Sequence, residues 1–278
     1  MSQWHSVFCH TTAVTPIEET LSKHLLANGY SAYNPFGRLP GRAYPRTVKL
    51  FISPTRSQWT RLILDSEALW GDENYLEIAQ QSATLAPSLY VALQEGQHTF
   101  QAYSNTPSDD PARVFEQALA ENMSVDAFRQ LWNTAPQDIA SIPTDTSPSI
   151  RDLLPTEYQG FGQGVNNQQA EKLFEKMSGN FRGRFGGAEN EAEVEKLLKN
   201  NQPQWESAGG NHLRAIFQAL SIADWQLPDF ATLRDAYTLH ARKQRNPQAM
   251  MYPGDAEAMA SVPNALEYIP LFFGKTEA

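Results

Sequence analysis

Residues 47–64 read TVKLFISPTRSQWTRLIL, and the alternation inside this stretch decides the kind of fold the chain makes. In 47–53, Val48, Leu50 and Ile52 share one side of a strand, while Lys49 and Phe51 share the other. In 59–64, Thr60, Leu62 and Leu64 share one side, while Trp59, Arg61 and Ile63 share the other. The two runs are joined by Pro54-Thr55-Arg56, which reads as a turn. A pair of half-apolar strands needs helices on its aliphatic face. The flanking sequence supplies them.

Upstream, Trp4-His5-Ser6-Val7-Phe8-Cys9-His10 has the β-branched and aromatic content of a strand. Thr15-Pro16-Ile17-Glu18 has the form of a capping box, Ile17, Leu21 and Leu25 follow at helical spacing, and Asn28-Gly29 supplies a left-handed stop. Residues 30–46, with three prolines, two glycines and four aromatics, read as a long loop. Downstream, a helix is expected around 73–85, then strands at 88–94 and 97–103 about the turn Glu95-Gly96. The order is β-α-β-β-α-β with an extra edge strand, the arrangement of ferredoxin-like domains. It places both helices on one face of an antiparallel sheet and leaves the other face to be covered or used.

Beyond residue 105 the pattern turns helical. Asp110-Pro111 and Ser124 read as helix starts, residues 134–164 as a Pro/Gly-rich linker, and Leu213, Ile216, Phe217 and Leu220 as a gapless helical stripe. Asp229 reads as a cap for a helix carrying Leu233, Tyr237 and Ala241. The expected organisation is therefore α+β: a ferredoxin-like domain at 1–105, short helices and linker at 106–164, and a mostly helical domain at 165–278. The apolar end, Tyr268-Ile269-Pro270-Leu271-Phe272-Phe273, either docks on the core or serves a protein partner or self-association.

The chain of 278 residues has a net charge of −9, which speaks against a polyanion partner for the molecule as a whole. The average conceals a split. Residues 1–105 hold eight acids and seven bases, and the remainder hold twenty-three acids and fifteen bases. All seven bases of the first part lie in 20–64, where there is no acid. Arg38, Arg42 and Arg46 are spaced by four residues in a loop with glycines, a composition suited to phosphate or carboxylate. On the sheet face opposite the helices, Lys49, Phe51, Trp59 and Arg61 would combine stacking rings with point charges, as RNA-binding sheets do. The alternative is that this face packs on the C-terminal helices and its aromatics are core.

No catalytic residue is assigned. Gly-x-Ser-x-Gly is absent, and the single cysteine, Cys9, lies in an apolar strand where a thiol is normally inert. The six histidines show no metal-binding spacing, so neither metal nor cofactor is expected. The glycine-arginine run at 179–187 lacks the Gly-Lys-Ser/Thr of a phosphate loop and reads as a turn between helices. Without an apolar run of membrane-spanning length or a basic-apolar leader, the chain is expected to be cytoplasmic. The functional expectation is a non-enzymatic binding or regulatory protein that recognises an anionic partner, a phosphate-bearing ligand or nucleic acid, through Arg38, Arg42, Arg46, Lys49, Phe51, Trp59 and Arg61. The competing expectations are an enzyme acting on an anionic small molecule in an interdomain cleft, and a structural subunit.

Overall fold

The computed structural model describes residues 3–36, 44–65, 72–94, 97–106, 108–135, 205–223, 225–226 and 228–276. All of these fall in one compact unit formed by 1–139 and 203–278; residues 140–202 make the other. Arg38, Arg42, the glycine-arginine run and most of the expected linker lie outside the described residues.

The protein is α+β. Its strands are β1 (Gln3–Cys9), β2 (Ser31–Ala32), β3 (Arg46–Ile52), β4 (Thr60–Leu64), β5 (Ser88–Gln94), β6 (Gln97–Tyr103) and β7 (Ile269–Lys275). They form a sheet of order β2-β7-β3-β4-β1-β5-β6 in which every neighbouring pair is antiparallel. Helix α1 (Val14–Ala27) links β1 to the β2–β3 region, and α2 (Asp72–Ala83) links β4 to β5. The aliphatic alternation of β3 and β4 selects the face these helices cover. Ile17, Leu21 and Leu25 of α1, with Tyr75, Ile78 and Ala79 of α2, pack on Val7, Val48, Leu50, Ile52, Leu62 and Leu64. Full burial of one such side chain stabilises the fold by about 1.5–3 kcal/mol, so this layer alone fixes the register of the central strands.

The opposite face is covered as well. Helices α3 (Pro111–Val114), α4 (Val125–Asn133), α5 (Ala208–Ala219), α6 (Phe230–Arg245) and α7 (Asp255–Ser261) follow in chain order. Leu213, Ile216, Phe217 and Leu220, at the spacing read from the sequence, meet Trp4, Phe8, Trp59, Leu89 and Val91 in one cluster. Phe230, Leu233 and Ala236 of α6 meet Phe51, Ile63 and Phe272 in another. A sheet covered on both faces is a three-layer arrangement.

The expected caps form at Asp110, Ser124 and Asp229, whose side chains accept from the backbone N–H of Ala112, Ala127 and Thr232 at 3.1, 3.1 and 2.7 Å. The capping box expected at Thr15 does not form: α1 begins at Val14, with Thr15 and Pro16 already inside its first turn. Proline is tolerated there because the first-turn N–H groups have no intrahelical partner. The turn expected at Pro54-Thr55-Arg56 lies further along. Arg56 bridges Trp59, and the intervening Ser57 and Gln58 both take left-handed φ values, 46° and 68°. This is a two-residue hairpin turn without the usual Asn or Gly.

The apolar C-terminal stretch is β7, seated between β2 and β3 in the sheet. Tyr268, Leu271, Phe272 and Phe273 are buried. The docked reading of this segment therefore replaces the partner-binding one, since its apolar area is already covered by the chain itself. Gly274 permits the seat: a Cβ there would come within 2.2 Å of the Tyr44 ring.

Candidate functional site: the cationic end of β3 and β7

The acid-free stretch 20–64 supplies its charges to different ends. Lys23 is exposed on α1, 3.7 Å from Glu19 one turn earlier. Lys49 donates to Asp65 Oδ2 at 3.0 Å, satisfying a carboxylate that is only 4% exposed. Phe51 and Trp59, expected as stacking platforms, are 0% and 4% exposed beneath the C-terminal helices. Arg61 is 6% exposed; its Nε donates to Ser6 Oγ at 3.0 Å and its Cζ lies 5.2 Å from the Trp4 ring centroid. The face offered as a binding surface is thus filled, and the alternative, that it packs on the C-terminal helices with its aromatics as core, is the one the structure shows. Trp and Phe at those positions gain more from apolar contact than from water, and α5 and α6 present matching apolar stripes.

Arg46 remains at the surface. It opens β3, on the same face as Val48, Leu50 and Ile52, and its cross-strand partner is Lys275 of β7. Directly opposed like charges destabilise a sheet, and neither of these two is ion-paired to a carboxylate among the described residues. Lys275 Nζ donates to the carbonyl of Asn28 at 3.0 Å and lies 5.6 Å from the Tyr30 ring centroid. A cation at that point also complements the C-terminal end of α1. Burial pushes the Tyr30 hydroxyl above its ordinary pKa, against the opposing field of Arg46. Tyr44 packs flat on Gly274, with the Tyr33 ring 5.3 Å away. Burial, then the nearby Asp65, pushes Tyr33 up to about 12.

The result is a guanidinium and an ammonium on one face of a strand end, beside the Tyr30 ring, whereas Tyr33 and Tyr44 lie on the opposite face with Phe272 and Gly274. Such a surface can hold an anion through charge-assisted hydrogen bonds. Lys275 and Tyr30 carry no local signal in the sequence that would join them to Arg46. Only the pairing of β3 with a strand from the far end of the chain brings them together.

A second cluster lies on the other sheet face. A cavity of about 30 Å³ is bounded by Arg56, Trp59 and Arg61 of the β3–β4 hairpin, by Ile222 and Ala223 after α5, and by Tyr268. Two left-handed turns shape its walls, Ser57-Gln58 and Ser221 (φ 53°). The Ser221 turn closes α5 by bonding Ile222 N–H to the Phe217 carbonyl at 2.9 Å. Burial pulls Arg61 down to about 10, so its guanidinium is charged at neutral pH, and Tyr268 and Asp229 act in the opposite direction.

Cys9 is fully buried, and burial pushes its thiol up to about 11. Among the described residues no group of three or more His, Cys, Asp or Glu is arranged to hold a metal ion. No described helix is long and apolar enough to cross a membrane. No family model, curated protein or solved structure matches this chain.

Proposed function

We propose that the protein is a non-enzymatic binding protein that recognises a phosphate-bearing partner at the β3–β7 strand end. The observation that carries this reading is the cross-strand pair Arg46 and Lys275, two cations set side by side without an acidic partner among the described residues. An acid at position 46 would pair with Lys275 across the strands and leave the Lys275 bond to the Asn28 carbonyl in place, so a second cation there is not what sheet pairing alone favours. Base stacking on Phe51 and Trp59 is not part of the proposal, because both rings are core. The ferredoxin-like topology of the sheet's centre belongs to the same reading. What supports it is the order β3-β4-β1-β5, with β1 and β3 running the same way across β4 and with α1 and α2 on one face.

The test uses short inorganic polyphosphate as probe, titrated into the full chain between about 50 and about 200 mM salt. Binding should weaken steeply with salt, and Arg46→Gln should lower the slope of log affinity against log salt by about one. Lys275→Gln should do the same. Affinity that ignores salt, or is untouched by Arg46→Gln, would overturn the proposal.

A further inference from the structure

The sheet has two edges, and they differ. β2 at one edge is two residues long, too short to template a neighbour. β6 at the other edge runs seven residues, Gln97-His98-Thr99-Phe100-Gln101-Ala102-Tyr103, paired to β5 along its whole length. Among the described residues no backbone group outside β5 bonds to it. Edge strands are ordinarily blunted by lysine, proline, an inward charge or a bulge. β6 contains no Asp, Glu, Lys, Arg or Pro, and its register runs unbroken from Ser88 opposite Tyr103 to Gln94 opposite Gln97.

Which groups face outward follows from the hairpin. Gln94 and Gln97 pair across two residues, and the closing pair of such a hairpin exchanges both hydrogen bonds. Arg56 and Trp59 do the same in the β3–β4 hairpin, at 2.9 and 2.8 Å. Bonding alternates along an antiparallel pair, so Thr99, Gln101 and Tyr103 turn their backbone groups to β5. His98, Phe100 and Ala102 turn theirs outward.

These three are evenly spaced about Phe100. A second β6, antiparallel and related by a two-fold axis at Phe100, sets Phe100 against its own copy, His98 against Ala102 and Thr99 against Gln101. All three outward residues then bond, giving about six backbone hydrogen bonds. An axis at Thr99 or Gln101 would pair only two of the three with each other. In the Phe100-centred register no like charges meet, and the two Phe100 rings form a cross-strand aromatic pair. Phe100 and Trp132, whose ring centroids are 4.4 Å apart, are both only partly buried, so a neighbour would cover apolar area there. Such self-complementarity is what a two-fold contact between identical chains requires.

We infer that the chain self-associates through β6, joining two sheets into one continuous antiparallel sheet across a two-fold axis at Phe100. Three strands separate β6 from β3, and the inference draws nothing from Arg46 and Lys275.

Sedimentation velocity of the full chain is measured between about 1 and about 200 µM, with urea unfolding of each variant as the check on its fold. The parent should show a reversible monomer–dimer equilibrium. Thr99 and Gln101 are exposed, so their side chains can be exchanged without opening the core. Thr99→Lys combined with Gln101→Lys sets lysine opposite lysine twice in the dimer and should raise the dissociation constant by about tenfold. Thr99→Lys combined with Gln101→Glu sets opposite charges across the same two pairs and should return the constant to the parent value or below it. A parent that stays monomeric throughout, an equilibrium indifferent to the two lysines, or a lysine–glutamate variant as weak as the two-lysine one would each overturn the inference.

Discussion

The indole Nε1–H of Trp59 donates to the backbone carbonyl of Leu220 at 2.9 Å. This single bond ties the tip of the β3–β4 hairpin to the end of α5, and its environment is buried on both sides. It explains why a tryptophan, and not another large apolar residue, occupies the position. The ring fills the cluster of Phe115 and His10, whose centroids lie 5.9 and 4.9 Å away, and the N–H satisfies a helix-terminal carbonyl.

Trp59→Phe retains most of the apolar contact and deletes the donor. A buried carbonyl left without its partner costs about 1–3 kcal/mol. The expected outcome is a lower urea midpoint with an unchanged m-value. A midpoint equal to that of the parent would show that Leu220 does not depend on the indole.

Ser57 and Gln58 test whether backbone strain at the hairpin is real. Left-handed conformation costs a non-glycine residue about 1–2 kcal/mol, and glycine returns about 0.5–1 of that as unfolded-state flexibility. Ser57→Gly should stabilise the protein by about 0.5–1 kcal/mol in denaturant unfolding. Gln58→Gly should gain less, because the Gln58 side chain bonds to His10. Equal gains at the two positions would contradict this division.

Stability should fall on acidification through the pair His98 and His212, whose ring centroids are 4.7 Å apart between β6 and α5. Burial holds both below the ordinary histidine value, His98 at about 4 with His212 as a further cause, and His212 in the same direction. A folded-state pKa below the unfolded value means that the unfolded chain binds more protons in between. The contribution of His98 is therefore complete above about pH 6.5 and is lost as pH falls toward about 4. His98→Phe should flatten the decline of the urea midpoint between these limits, and an identical decline in the variant would refute the assignment.

Removal of residues 269–278 should abolish cooperative unfolding rather than convert an oligomer to a monomer. β7 supplies the neighbour of β3 along its full length, from Arg46 opposite Lys275 to Ile52 opposite Ile269. Without it, β3 becomes a long bare edge beside exposed core, an aggregation template. Circular dichroism and size-exclusion chromatography of the truncated chain distinguish these outcomes.

Much of the sheet was legible because alternation is a local signal. Val48, Leu50 and Ile52 on one side, and Phe51 on the other, follow from the two-residue period of a strand, and the structure places them so. The helix stripe at Leu213, Ile216, Phe217 and Leu220 was equally readable. Strand β7 was not, because Pro270 and a run of apolar residues without alternation look like a tail until a partner strand is known. β2, two residues long, carries no pattern at all. The candidate site was half legible: Arg46 stood out as part of an acid-free stretch, whereas Lys275 had no reason to be linked with it.

The amino-acid sequence by itself determined the α+β class, the faces of the central strands, several helix caps and the position of the positive charge. Those are short-range properties, set by residue spacing and by side chains meeting backbone a few positions away. Tertiary structure alone decided which cations face outward, that the aromatic face of β3 and β4 is core, and that the final strand completes the sheet. Those outcomes depend on which distant apolar surface meets which, and burial is a property of the assembled layers rather than of any stretch within them.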